Sequence, residues 1–304
     1  MMRVLLILIL IVVQAGLARE PSGQGPFALV AHEFAVRDLD RNRTVEVLLL
    51  SPAGEGKAPF VLFSPGFLLS GRAYRGTGEL LASHGIAVAL LTYDMNLFTA
   101  DQRLLADDLR FVLRALPSAA AARGVDPDPE RIALAGHSLG GKLSFLVAPD
   151  EPTVRAVVGL DPVDGGASGI DDPARFPRAA DRMEEITIPK LLIGAERGGE
   201  ARFGIPCAPR EFNYERLYER TTAAAWEATQ LGAGHMDYLD NPDCGFPCSL
   251  CVPGTDPTQA REAAQAYLVL FFRAHLVGEV GAQDDLEARL EEDEAAGLVR
   301  VRRK

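Results

Sequence analysis

The segment RIALAGHSLGGKLSFLVA, residues 131–148, joins two different patterns at one serine. Ile132 to Ala135 are apolar without alternation, as in a strand buried on both faces, and the residues after Ser138 open as a helix. Gly136 and Gly140 stand two residues to either side of Ser138, the G-x-S-x-G spacing. A strand-to-helix turn too tight for side chains accounts for the glycines. Such a turn lifts the serine hydroxyl above the C-terminal edge of a sheet and leaves the Leu139 N–H, at the start of the helix, without an intrahelical acceptor. A glycine-rich turn with an incidental serine has the same spacing, so the rest of the chain must supply a base and an acid.

Outward from this segment, strands and helices alternate. FALVAHEFAV, RTVEVLLLS and PFVLFS are apolar or alternating runs that end at turn residues, and IAVALLTYD (86–94) is a further buried strand. Leu104, Leu105, Asp108, Leu109, Val112, Leu113 and Leu116 recur at helical spacing, and RGVDPDPE (123–130) reads as a loop. AVVGLDPV, IPKLLIGAE and AAWEATQLGAGH give three more strands. The last strong helix starts with Asp256 as cap, Pro257 in the first turn and Gln259 at the capping-box position, and it presents Ala264, Tyr267, Leu268, Phe271, Phe272 and His275 on one face. Buried strands separated by helices predict an α/β fold with a mostly parallel sheet covered on both faces. Past Gly278 the chain is charged, predicting a solvated helix or a loose end. The division is a leader over 1–18, one domain over 26–278 and a tail over 279–304.

The chain has 304 residues, 48% hydrophobic and 24% charged, an ordinary globular composition. A formal net charge of −11 argues against nucleic acid as a partner. At the start, Arg3 precedes an apolar run from Val4 to Val13, with Ala15 and Ala18 as cleavage positions. This is an export signal by pattern and too short for a membrane span, so the expected protein is periplasmic or secreted without a stable membrane anchor. Cys207, Cys244, Cys248 and Cys251 all lie in the last third. An even number in an exported chain predicts two disulfides, with three pairings open; a four-thiolate zinc site is the rival. Either would pin the loop after Gly234 to the PCAP segment at 206–209.

A serine hydroxyl needs a base. Of the five histidines only His235 and His275 follow Ser138, and His275 sits on the helix face; His32, His84 and His137 precede the serine or sit on the wrong side of its turn. For a strand–serine–helix turn the chain order is serine, acid, histidine, which selects His235 as base. Asp161 ends the first strand after the serine and Glu196 the second, and chain order does not separate them; Asp164, Asp171 and Asp172 read as solvated loop acids. The second oxyanion donor is expected in the loop after the third strand, FSPGFLLSG, where Gly66 permits close approach and the Phe67 N–H would act with that of Leu139. Phe67, Leu68, Phe98 and Phe176 suit an apolar acyl or alcohol group, and suit core packing equally.

ASHGIAVAL, GHSLGGK, VVGLDPVDG, PCAP followed by FNYERLY, and GHMDYLD together resemble the chlorophyllase branch of the α/β-hydrolases over about Phe60 to Phe272. More distantly the chain is similar to cutinase-like polyester hydrolases and platelet-activating-factor acetylhydrolases. The resemblance implies the α/β-hydrolase fold and an acid at the aspartate of D-P-V, Asp161, with His235 as base. It also implies a link between Cys207 and the cysteines after the histidine loop. Plant chlorophyllases carry arginine after the nucleophile, where this chain has Leu139. The expected function is carboxylic ester hydrolysis through an acyl-enzyme on a small or lipid-like ester with an apolar group, with no metal or organic cofactor. Lipid or polyester hydrolysis, acyl transfer, and an inactive binding protein on the same fold are the alternatives.

Overall fold

The computed structural model of the chain describes residues 21–304 except 55, 96–100, 167–171 and 223. The expected leader, Phe98 and Asp171 lie outside these residues. In chain order the strands are β1 (Leu29–Asp38), β2 (Arg43–Pro52), β3 (Ala58–Ser64), β4 (Ala87–Tyr93), β5 (Pro127–His137), β6 (Val154–Leu160), β7 (Lys190–Ala195), β8 (Ala201–Arg202), β9 (Ile205–Pro206), β10 (Ala225–Gln230) and β11 (Val299–Arg303). The helices are α1 (Arg75–Ser83), α2 (Gln102–Ala121), α3 (Leu139–Val147), α4 (Tyr214–Glu219), α5 (Phe246–Ser249), α6 (Pro257–Phe272) and α7 (Ala282–Ala295). Among the described residues no helix is long and apolar enough to cross a membrane.

Among the described residues nine strands form one sheet in the order β1-β2-β4-β3-β5-β6-β7-β10-β11, and β8 and β9 form a separate small hairpin. Pairing is parallel from β4 through β10, while β1, β2 and β11 add antiparallel edges. Alternate side chains point to opposite faces, so each strand contributes to two cores. Val47, Leu49, Phe60, Leu62, Leu134 and Val157 face α2, α3 and α4. Leu48, Leu50, Val61, Phe63, Ala135, Val158 and Ile193 face α1, α6 and α7. This two-sided burial is why the central strands carry unbroken apolar runs.

Local signals place the helices much as expected. Asp101 accepts from the Arg103 and Leu104 amides and caps α2, whose Leu105, Leu109, Val112, Leu113 and Leu116 are buried. Asp256 accepts from the Gln259 N–H at 3.0 Å and caps α6. His275, just past α6, packs against Trp226 and Phe271. Asp108, read only as part of the helical repeat, is fully buried in α2 and ion-paired with Arg41 and Arg43, which ties the β1–β2 turn to that helix.

Two expectations differ from the structure. Residues 127–130, read as loop, are the first residues of β5; Pro127 pairs with Ala58 before a register shift, and a proline is tolerated at a strand's first position. The tail is neither solvated throughout nor loose. In α7 the fully buried Leu286 and Leu290, four residues apart, pack into the same core as Leu276 and Val299, and β11 pairs antiparallel with β10. The run VRVRR alternates, with Val299 buried and Arg302 paired to the buried Glu227. Its arginines also discourage further pairing on an exposed sheet edge. Leu286→Ala is therefore expected to lower the free energy of unfolding by about 2–5 kcal/mol in chemical denaturation. A loss below about 0.5 kcal/mol, the range of ordinary surface substitutions, would show that the tail lies outside the cooperative unit.

Candidate active site

β5 ends at His137, and the chain reverses at Ser138 before α3 begins at Leu139. Ser138 has φ 53° and ψ −119°, a region that side-chain-bearing residues seldom occupy. Its amide donates to the Leu160 carbonyl at 2.9 Å, tying the bend to the end of β6. The flanking glycines are required by contact. A Cβ on Gly140 would lie 2.0 Å from the Ser64 carbonyl oxygen, and one on Gly136 would lie 2.4 Å from the Gly140 carbonyl carbon. The bend thus sits directly on the end of β3.

Asp161 follows the last residue of β6 and also has positive φ, 39°. Its amide donates to the Ile193 carbonyl at 2.6 Å, and its Oδ1 accepts from the Ala195 N–H at 3.2 Å. Oδ2 lies 2.6 Å from His235 Nδ1. On the other side of the ring, His235 Nε2 lies 3.0 Å from Ser138 Oγ. Asp161 is fully buried, while Ser138 and His235 retain 9% and 5% exposure, so the hydroxyl and imidazole border an opening and the carboxylate does not. The arrangement lets a proton pass from the hydroxyl to Nε2 while the carboxylate holds Nδ1–H.

Glu196, the other acid that chain order allowed, is engaged elsewhere: its carboxylate accepts from the Gly232 N–H at 3.0 Å and pairs with Arg300. Leu139 is the first residue of α3, where an N–H has no intrahelical acceptor. The Phe67 N–H donates no hydrogen bond among the described residues; Gly66 abuts the bend, a Cβ there lying 3.5 Å from Ser138 Cβ. Phe67 and Leu68 are partly exposed, at 37% and 40%, whereas Phe176 is 4% exposed and belongs to the interior.

Several supporting residues were not legible in the sequence. Asp237, two residues past the histidine, is buried and accepts from the Gly234 N–H at 2.8 Å, closing the turn that carries His235. Burial pushes its pKa up, opposed by the amides of Gly234 and Gly254. Gly254 must lack a side chain, since a Cβ would lie 1.8 Å from Asp237 Oδ2. The 251–254 segment packed against that turn is anchored by a Cys207–Cys251 disulfide, and Cys244 pairs with Cys248. All four cysteines are thereby paired, and none is a free thiol.

Asp164, read as a solvated loop acid, is in fact buried, accepting from the Ala179 and Ala180 amides at 2.6 and 3.0 Å. Opposite it, the fully buried Lys142 donates to Gln102 Oε1 at 2.6 Å and to the Asp164 and Gly165 carbonyls. Burial brings the Lys142 pKa down to about 8, with Asp164 pulling the other way. This cluster fixes the loop that leaves Asp161. A buried lysine inside GHSLGGK carries no local sequence signal, because its partners come from α2 and the loop after β6.

The chlorophyllase family model matches residues 24–299. Chlorophyllase-2 of Arabidopsis thaliana is 29% identical over 253 residues, covering 77% of this chain and 78% of that protein. Chloroplastic chlorophyllase-1 of Citrus sinensis is 29% identical over 203 residues, 64% of this chain and 60% of its own length. Cutinase est2 of Thermobifida alba is 30% identical over 138 residues, 45% of this chain and 40% of that enzyme. Among solved structures, a ferulic acid esterase from Streptomyces cinnamoneus superposes with a TM-score of 0.63 at 24% identity, over 83% of this chain and 91% of that one, which supports the fold. With its sheet order and serine-bearing bend, the chain belongs to the chlorophyllase family of the α/β-hydrolases and is a carboxylic ester hydrolase.

Proposed function

We propose that Ser138, His235 and Asp161 form the catalytic triad of an esterase that works through an acyl-enzyme. The observation that carries this reading is the continuous line of contacts, 3.0 Å from Ser138 Oγ to His235 Nε2 and 2.6 Å from His235 Nδ1 to Asp161 Oδ2. Ser138 attacks the ester carbonyl as its proton passes to Nε2. Asp161 holds the ring and stabilises the imidazolium, and the N–H groups of Phe67 and Leu139 receive the developing oxyanion. His235 then protonates the leaving alcohol. Water, deprotonated by the same ring, attacks the acyl-serine and releases the acid.

The substrate class follows from what surrounds the opening. Phe67 and Leu68 stand partly exposed on the donor loop and suit an ester with an apolar acyl or alcohol group. The chlorophyllase relatives favour a chlorophyll-type pigment ester. The cutinase relatives support a second reading, an apolar polyester, favoured by the exposure of Phe203, Ile205 and Phe246. Two disulfides suit an oxidising compartment, and a leader over 1–18 would deliver the chain there as a periplasmic or released enzyme. N-terminal sequencing of the exported protein is expected to find cleavage after Ala15 or Ala18.

Ser138→Ala is expected to lose on the order of 10⁶ in kcat and Asp161→Asn roughly 10⁴, while Glu196→Ala stays within about twofold of the parent. Loss in Glu196→Ala with an active Asp161→Ala would reverse the assignment of the acid. kcat/KM is expected to fall toward acid pH, because a protonated imidazole accepts no proton from the serine; a profile that does not fall on acidification would contradict a histidine base. Rates across p-nitrophenyl esters of increasing chain length, a pigment ester and a polyester film should rise with apolar length, and a preference for acetyl esters would contradict an apolar subsite.

A further inference from the structure

His137, the residue before the nucleophile, is fully buried, and both of its ring nitrogens are used. Nε2 lies 2.8 Å from the backbone carbonyl oxygen of His235. A carbonyl only accepts, so Nε2 carries the hydrogen and donates it. Nδ1 is then an acceptor, and the Tyr74 hydroxyl, 2.7 Å away, donates to it. The Tyr74 oxygen in turn accepts from the Gly66 N–H at 3.2 Å. Gly66 immediately precedes Phe67, and a Cβ on it would lie 3.1 Å from His137 Nδ1. One directional chain therefore runs from the donor loop, through Tyr74 and the residue beside Ser138, to the backbone of the base.

We infer that His137 is a positioning residue, a buried imidazole that acts with Tyr74 to fix the oxyanion-donor loop and the His235 loop in register with the nucleophile turn. This rests on the triad reading given above and adds to it what sets the relative placement of its parts.

The same chain fixes the protonation of the ring. A second proton on Nδ1 would displace the Tyr74 hydrogen from its acceptor, and the Tyr74 oxygen already receives the Gly66 N–H. A buried O–H would lose its partner. The groups that face the ring are Tyr74 from the turn before α1, and His235 and Tyr238 from the loop after β10, with ring centroids at 5.7, 4.7 and 5.7 Å. None is an acid; Asp161 lies on the far side of the His235 ring. Burial and the neighbouring His235 hold the His137 pKa well below its ordinary value. A neutral ring here leaves His235 free to become imidazolium during acylation without a like charge beside it.

The test compares the full-length parent enzyme with Tyr74→Phe, His137→Gln and His137→Leu on a p-nitrophenyl ester, with thermal melting and NMR of ¹⁵N-histidine-labelled protein. Tyr74→Phe keeps the ring and removes one hydroxyl; kcat should fall about tenfold, KM should stay within about twofold and the acid-side midpoint should not move. His137→Gln, which can still donate to the His235 carbonyl, should retain at least about fivefold more kcat than His137→Leu. NMR should show His137 as the neutral Nε2–H form from about pH 5 to 8. Parent-like kcat in Tyr74→Phe, equal loss in the Gln and Leu variants, or a ring that titrates in that interval would each overturn the inference. Ser138→Ala and His235→Ala run alongside: if they stay active, the triad reading itself fails, and if they are inactive while Tyr74→Phe is unaffected, only the positioning role fails.

Discussion

The site depends on one backbone constraint. Between β5 and α3 the chain must turn at Ser138 with positive φ while lying against the end of β3, where a Cβ on Gly140 would sit 2.0 Å from the Ser64 carbonyl oxygen. Holding a side-chain-bearing residue in such a conformation costs on the order of 1–3 kcal/mol, so the surroundings must over-determine it. They do so through the Ser138 amide on Leu160 and through the sheet pairing of Gly136 with both Ser64 and Gly159. A serine raised in this way stands at the C-terminal edge of parallel strands, where the chain following β6 and β10 arrives with the carboxylate and the imidazole.

Rigid strands place Ser138 and Asp161, but His235 comes from a loop, and loops need their own supports. Asp237 closes the histidine turn from within, and the Cys207–Cys251 disulfide anchors the segment that packs against it. Asp240 reaches from the same loop to the Gly76 N–H in the first turn of α1, a favourable place for a carboxylate. The strand that leads into this loop, β10, is covered on its outer edge by β11 from the C-terminal segment. The C-terminal segment therefore covers the strand that leads to His235.

What the sequence disclosed was what local chemistry encodes. Glycines at two-residue spacing around a serine, between an apolar run and a helical one, mark the bend, because its crowding is a property of adjacent residues. Chain order then isolated His235. The acid was a different matter: Asp161 and Glu196 both end strands, and only the direction of the side chains and the resemblance at D-P-V separate them. Lys142, Asp164, Asp237 and His137 gave no signal, since whether a polar side chain is buried depends on partners far away in sequence. The tail misleads for a related reason. Its charges are real and mostly exposed, while Leu286, Leu290 and Val299 lie on the face that reaches the core. Cysteine pairing was limited to three alternatives and needed the fold to choose among them.

The most direct test of the central claim is chemical trapping. The folded enzyme is treated with an alkyl fluorophosphonate, and the adduct is mapped by mass spectrometry of its peptides. The account predicts one phosphonyl group per chain, on Ser138, with labelling slowed greatly in His235→Ala. A label on any other residue, or labelling whose rate does not depend on His235, would contradict it.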